Sequence, residues 1–323
     1  MRLSFAIACA LLALLGLPAS EARSQAWPSR PVTMIVPFPA GGNADVLARA
    51  LAAEFSEKLG QQFLVDNRAG AGGNIGGAAV AKAAPDGYTL MFGTPGPIAT
   101  NKLMYKNLPY DPEKDLTPVV LVAKSPLIVV AHPSFPAKDL KELIDYAKAN
   151  ADKVNAGNPG NGTLGHITSE LLQQHTGMKM VHVPYRGTPP LTTDLLGGQI
   201  NVGFDFMTTY IPLVSDGKLR ALAVTSAERA VQLPNVMTVQ EAGFKGFEAT
   251  AWYAIVAPTG TPANVVETVN KIANDYLNSP NGKAQLETFA MQAAGGTSDD
   301  LRAYIKSELE KWGPIIRAAN ISM

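Results

Sequence analysis

The chain has 323 residues, in which 27 basic side chains balance 27 acidic ones, and it contains a single cysteine. A balanced charge argues against nucleic acid as a partner, because nucleic-acid-binding proteins usually carry a basic excess or stripe. One cysteine excludes an internal disulfide. The length predicts two domains, each large enough to bury a core of its own.

The amino terminus has the pattern of an export signal. Basic Arg2 precedes an uninterrupted apolar stretch, Phe5–Leu17, and small residues suited to cleavage follow near residue 26. The stretch is too short for the roughly 20 residues of a membrane helix and fits a signal-peptide core. We therefore predict a cleaved signal peptide over residues 1–26; a buried first helix is the alternative. Removal of this segment also removes Cys9, so that the mature chain has no thiol chemistry.

From residue 27 onward, short apolar runs alternate with amphipathic helical patterns, as in βαβ units. In the first predicted helix an apolar residue recurs at every fourth position from Leu47 to Leu59, Asn43 is expected to cap the helix and Gly60 to end it. The predicted strands are 32–37, 62–66, 88–93, 118–131, 154–157, 180–184, 201–206, 219–225 and 250–257. The predicted helices are 44–59, 74–84, 138–150, 164–175, 188–196, 211–215, 263–277, 282–291 and 298–318.

This alternation predicts two α/β lobes joined by linking segments near 122–126 and 226–245. We assign residues 27–123 and 236–323 to lobe 1 and residues 124–235 to lobe 2, with the helical tail packing on lobe 1. Parallel strands with right-handed crossovers are the default for such a chain. Open α/β sheets bind ligands at strand ends, so a ligand cleft is expected between the lobes.

Two glycine-rich turns, 37–42 and 158–166, each lie between a predicted strand and a predicted helix. The first turn of a helix leaves backbone N–H groups without partners and carries partial positive charge, and glycine lets an anion approach closely. The two turns together predict one anion site. The second turn formally matches the dinucleotide fingerprint Gly-x-Gly-x-x-Gly, but no acidic residue stands about 20 positions later, which disfavours a nucleotide.

Several polar residues near predicted strand ends have both a ligand-binding and a structural interpretation. Asp45 could cap its helix or bind a ligand amine or hydroxyl, and His166 could donate to a carboxylate or pack against the sheet. Asp205 could accept from a ligand or cap the following segment. Arg186 could pair with a ligand carboxylate, or internally with Asp194 or Asp205.

Thr94 and Tyr185 each follow a predicted strand, which places them at the same cleft. The remaining histidines, His132, His175 and His182, show no metal-ligand spacing with Asp, Glu or Cys. We predict neither a metal nor a cofactor. The chain also lacks a nucleophile elbow or zinc-protease motif, so an enzyme is not expected. A monomer is the default expectation.

Several strings occur together in order along the mature chain: Trp27–Pro31, Pro37–Gly42, Val65–Gly73, Ala84–Leu90, Val183–Gly187, Leu195–Ile200 and Ala257–Pro262. With these strings the chain resembles the Bug, or tripartite tricarboxylate transporter, family of extracytoplasmic solute-binding receptors. The resemblance implies a two-lobed periplasmic-binding-protein fold that closes like a Venus flytrap on a small organic carboxylate and delivers it to membrane permease subunits. A periplasmic sensor that signals to another partner is the alternative.

The resemblance also implies which residues bind, mostly through backbone amides. On lobe 1 these are Phe38, Pro39, Ala40, Gly41 and Gly42, and on lobe 2 they are Asn161, Gly162, Thr163 and His166. Two departures from the family pattern affect the site: Ala44 replaces a hydroxyl or amide, and residues 187–190 form a stiffer, proline-containing turn.

Overall fold

The computed structural model describes residues 27–318 and 321–323, so the predicted signal peptide lies outside the described residues. Within the described part, no helix combines the length and the hydropathy needed to cross a bilayer.

The strands and helices alternate along most of the chain, as the sequence predicts. The strands are β1 Val32–Val36, β2 Phe63–Asn67, β3 Thr89–Gly93, β4 Leu116–Ala131, β5 Asn155–Asn158, β6 Val181–Pro184, β7 Val202–Phe206, β8 Arg220–Val224, β9 Thr250–Pro258 and β10 Gln292–Gly295. The helices are α1 Asn43–Leu59, α2 Asn74–Ala81, α3 Asn101–Met104, α4 Pro112–Asp115, α5 Leu140–Ala149, α6 Leu164–Thr176, α7 Thr188–Leu196, α8 Met207–Ser215, α9 Ala263–Asn278, α10 Pro280–Thr288 and α11 Ser298–Ala318. A short 3₁₀ turn precedes α2, and a π-helical turn precedes α3.

One long strand joins two halves of a mixed sheet whose order is β2-β1-β3-β9-β4-β7-β5-β6, with β8 and β10 also paired to β4. The first part of β4 pairs with β9, and its last residues, Leu127–Ala131, pair with β7 and β8. Strands β1 to β3 are parallel, and so are β5 to β7, but β9 runs antiparallel to both β3 and β4. The expectation of parallel order is therefore wrong for the central strands, because β9 runs back alongside β4.

Each half of the sheet has its own apolar core. The first half packs α1 and α9 against β1, β3 and β9, with Phe55 and Tyr276 fully or almost fully buried between them. The second half packs α5 and α6 against β4 and β7, around Leu143, Ile167 and Phe204. Helix α11 contacts both halves, so the tail packs on the second half as well as the first.

The segment 236–249 belongs with the second half. The N–H of Val224 donates to the Met237 carbonyl at 2.9 Å, and the N–H of Ala249 donates to the Thr225 carbonyl at 3.0 Å. The chain therefore returns to the first half at β9, later than the boundary expected at residue 236.

Candidate functional site

The first glycine-rich turn connects β1 to α1 and leaves several donors free. Gly41 adopts a φ of 84°, in the left-handed region that favours glycine. Gly42 is the N-cap, so Asn43 is the first helical residue and not the cap that the sequence suggested. Val46 is the first residue whose N–H bonds back to the turn, at the Gly42 carbonyl. The N–H groups of residues 42–45 have no main-chain acceptor among the described residues, as helix geometry requires.

The side chain of Asp45 stabilises this turn through hydrogen bonds. Its carboxylate accepts from the Gly41 N–H at 2.9 Å, from Arg49 Nε at 3.0 Å and from Asn67 Nδ2 at 3.0 Å. Burial opposes ionisation, but these hydrogen bonds and the Arg49 charge outweigh it and hold the pKa of Asp45 below its usual value. The side chain is thus engaged structurally, and Gly41 contributes its conformation to the site but no free N–H.

The residues around that turn differ in accessibility. Residues 39–42 are exposed at its tip, whereas Phe38 is partly buried against the first-half core. Thr94 is buried at the end of β3, where its carbonyl accepts from the Ile98 N–H at 3.3 Å and begins the π-helical turn. The Thr94 carbonyl therefore belongs to the start of a helical turn.

The second glycine-rich turn connects β5 to α6 and is held by its own side chains. The N–H of Gly160 donates to Asn158 Oδ1 at 3.0 Å, and the Thr163 hydroxyl donates to the Gly160 carbonyl at 2.6 Å. The N–H of Gly162 donates to His166 Nδ1 at 3.1 Å. His166 therefore acts here as an acceptor for its own turn, and only its Nε2 side is left to donate.

Burial, and to a smaller extent the neighbouring His182, lowers the pKa of His166 to about 4. The ring is therefore neutral at ordinary pH, which suits an Nδ1 that accepts a hydrogen bond. Asn161 is exposed at the tip of the turn, and Gly162 is buried against Met104 of the first-half helix α3. The second turn thus contacts an element of the first half.

Three buried side-chain groups near the turns lack hydrogen-bond partners within the described residues: Nδ2 of Asn43, Nδ2 of Asn158 and the hydroxyl of Tyr253. Unpartnered polar atoms are rare in protein interiors, and each of them requires an explanation. Asn43 belongs to the first turn, Asn158 to the second, and Tyr253 to β9. From the sequence, Asn43 is interpreted as a helix cap and Asn158 as part of the second turn, and only their position beside the glycine turns could have indicated a role in the site.

Tyr253 connects the two halves of the site. Burial raises the pKa of its hydroxyl above the usual range, the Asn43 side chain opposes that shift, and the Asp205 carboxyl adds to it. Its ring also lies 6.2 Å, between centroids, from that of Phe206 at the end of β7. The pKa of one buried hydroxyl therefore responds to Asn43 in the first half and to Asp205 in the second half.

Asp205 is buried at the end of β7, with 1% of its surface exposed. It accepts from the Phe206 N–H at 2.7 Å and from the Tyr210 hydroxyl at 3.2 Å. Burial nevertheless raises its pKa to about 7, because no cation compensates the desolvated charge within the described part of the chain. The carboxyl therefore changes charge close to neutral pH.

Tyr185, and not Arg186, bonds to Asp194. The Tyr185 hydroxyl donates to Asp194 at 2.7 Å, and burial together with that carboxylate raises its pKa to about 12. Arg186 is exposed and forms no ion pair with the described acidic residues, so the expected pairing with Asp194 or Asp205 is wrong. The Asp194 carboxylate accepts from the Tyr185 hydroxyl, and the Asp205 carboxylate accepts from a backbone N–H and the Tyr210 hydroxyl.

A cavity of 620 Å³ lies apart from both turns. It is bordered by β4 at 124–126, by the loop 226–232 and by α10, and its lining includes no residue of either glycine-rich turn. The two turns therefore lie outside this cavity.

The sequence profile of a family described as the tripartite tricarboxylate transporter family receptor matches residues 47–321. A curated relative, protein BugT of Bordetella pertussis, is 38% identical over 303 residues, which cover 93% of this chain and 92% of that protein. The similarity therefore spans nearly the whole chain, including both glycine-rich turns.

Two solved structures from Rhodopseudomonas palustris have the same fold. Rpa4515 with adipate is 38% identical, covers 92% of this chain and 99% of its own, and superposes with a TM-score of 0.87. MatC with bound malate is 32% identical, covers 90% and 100% respectively, and superposes with a TM-score of 0.83. The prediction of a two-lobed α/β periplasmic-binding-protein fold is confirmed by these likenesses.

Proposed function

The chain belongs to the tripartite tricarboxylate transporter receptor family, and from that membership we propose that it is a periplasmic receptor for a small organic dicarboxylate. Because the family is one of receptors, the protein is a solute-binding protein and not an enzyme. Relatives with adipate and malate bound support a dicarboxylate as the ligand class. We propose further that residues 1–26 direct its export and that it delivers the ligand to the permease subunits of its transporter.

The observation that carries this proposal is a pair of strand–turn–helix junctions, of which the first has free main-chain donors and the second has an unpartnered side-chain amide on Asn158. Helix α1 begins with N–H groups that have no main-chain acceptor among the described residues, and α6 begins directly after the second turn. Asn43, Asn158 and Tyr253 add buried side-chain donors without partners to the same region. Neutral N–H groups at helix starts are suited to a carboxylate, because they offer several hydrogen bonds and a favourable dipole.

Closure of the two halves explains how one ligand would contact both turns. The first turn, β9 and α1 belong to the half that ends near residue 126 and resumes at β9, and the second turn belongs to the half between them. We propose that ligand binding stabilises the closed arrangement, since donors from the second half are added only on closure. The connecting stretches of β4 and of the segment before β9 would act as the hinge.

Isothermal titration calorimetry with adipate, malate, a tricarboxylate and a monocarboxylate tests the ligand class. We expect one or more dicarboxylates to bind one to one with a micromolar or tighter dissociation constant, about −8 kcal/mol. Dimethyl adipate is the matched control, because it keeps the carbon chain of adipate and removes both negative charges; it should not bind measurably. Binding of glucose or of a simple amine in the absence of any carboxylate binding would overturn the proposal.

A further inference from the structure

Three side chains that commonly ligate metal ions lie together beside the second turn. His166 and Glu170 are four residues apart on α6, which puts them on one face of the helix, and His182 lies on the edge strand β6. One donor atom from each lies within 4.8 Å of the other two. The two imidazole rings meet edge to face with their centroids 5.0 Å apart.

The donor set is that of a transition-metal site. Two imidazoles and a carboxylate are the protein ligands of many zinc sites that keep further positions open. Zinc–nitrogen and zinc–oxygen bonds of about 2.0–2.2 Å require donors roughly 3–3.5 Å apart, so small side-chain movements suffice from a 4.8 Å limit. The side chains of His182 and Glu170 are 21% and 22% exposed, which leaves an entry route for an ion.

His182 Nε2 has conflicting neighbours without a cation. It contacts the Glu170 carboxylate, which requires a proton on Nε2, and it lies 3.0 Å from Gln173 Nε2, which is also a donor. The Gln173 amide is oriented by its oxygen, which accepts from the Met180 N–H at 2.7 Å. A proton on Nε2 is repelled by the amide hydrogens of Gln173, and a lone pair on Nε2 is repelled by the Glu170 carboxylate. An ion bound to both Nε2 and the carboxylate removes the second of these repulsions.

We propose that His166, Glu170 and His182 bind a divalent transition-metal ion such as Zn²⁺. The site is coupled to the second turn, because His166 Nδ1 accepts from the Gly162 N–H when no ion is bound. Ligation through Nδ1 uses that lone pair, and ligation through Nε2 requires a proton on Nδ1. Either way the Gly162 N–H is released, so that metal binding alters a turn that we propose to bind the carboxylate.

Competition for Zn²⁺ against a chromophoric chelator, with tag-free protein and no carboxylate present, tests this site. We expect one equivalent of Zn²⁺ to bind, and Co²⁺ to give the visible absorption of a low-coordinate complex. His182→Ala and Glu170→Gln should each weaken Zn²⁺ binding at least tenfold, since the loss even of outer-sphere partners typically costs about 10–100-fold in affinity.

The matched controls are His175→Ala and His132→Ala. His175 lies on the same helix with Nδ1 3.0 Å from the Leu171 carbonyl, and His132 contacts Ser134. Both variants should bind Zn²⁺ as the parent protein does. Glu170→Gln keeps the side-chain volume and decides the outcome if His182→Ala does not fold. Absence of one-to-one Zn²⁺ binding, or an equal loss in His175→Ala, would contradict the proposal, and neither result depends on which carboxylate the protein binds.

Discussion

Replacing Gly42 with valine is expected to weaken dicarboxylate binding at least about 100-fold, or roughly 3 kcal/mol, while leaving the fold intact. Gly42 has a φ of −81° and a ψ of 168°, which any residue can adopt. An added Cβ would meet only the Pro39 carbonyl oxygen, at 3.7 Å. Valine would therefore occupy the space beside the free N–H groups at the start of α1 and hold an anion away from them. Calorimetry with adipate and malate measures the loss.

Gly197→Val is the matched control for this variant. Gly197 has a φ of −79° and lies exposed at the end of α7, in the other half of the molecule. The Gly197→Val protein should bind dicarboxylate as the parent protein does. Gly41 is less suitable as a test, because its φ of 84° would strain any substituted residue whatever the space around it. Unchanged affinity in a folded Gly42→Val protein would remove the first turn from the site.

Replacing Asp205 with asparagine is expected to stabilise the protein above pH 7. The pKa of this acid is about 7 in the folded state against 3.8 ordinarily, so the folded state holds the proton more tightly. The resulting stability is present below pH 4 and is lost as pH rises towards 7, a loss of about 4 kcal/mol at most. Asparagine keeps an acceptor for the Phe206 N–H and has no charge to desolvate.

His166 should produce the opposite slope in the same pH range. Its folded-state pKa is about 4 against 6.5 ordinarily, so stability is lost as pH falls from 6.5 to 4. In the parent protein the two contributions to the free energy of unfolding partly cancel in this pH range. In Asp205→Asn the free energy of unfolding should therefore rise with pH because of His166. Urea unfolding at pH 5, 6.5 and 8 measures these differences.

Asp66→Asn is the control for the pH experiment. Its carboxylate forms an exposed ion pair with Arg68 at 2.8 Å, so the change should stay within about 1 kcal/mol at every pH. If the difference in unfolding free energy between Asp205→Asn and the parent is the same at pH 5 and pH 8, Asp205 does not titrate in this range.

The sequence predicted most of the helices and strands and both turns, because their signals are local. The apolar four-residue spacing in α1 and the glycines before α1 and α6 are examples, and α7 and α11 have the predicted bounds. The start of α8 was predicted four residues late, since Pro212 is typical of a first helical turn but lies inside this helix. The strand β10, Gln292–Gly295, has almost no apolar pattern and exists through its pairing with β4.

The parts of the site that the sequence did not indicate depend on contacts distant in the chain. Tyr253 matters because its hydroxyl is buried without a hydrogen-bond partner among the described residues, and that burial depends on the packing of β9 between β3 and β4. His182 likewise joins His166 and Glu170 through the pairing of β6 with β5. No spacing rule for metal ligands spans that arrangement.

A crystal structure of the protein with adipate or malate tests the central claim most directly. We predict a ligand carboxylate within about 3 Å of backbone nitrogens at the start of α1 and, in the same molecule, of donors from the second turn at 158–163. A carboxylate that contacts only one of the two turns, or that occupies the separate cavity beside residues 226–232, would contradict the account.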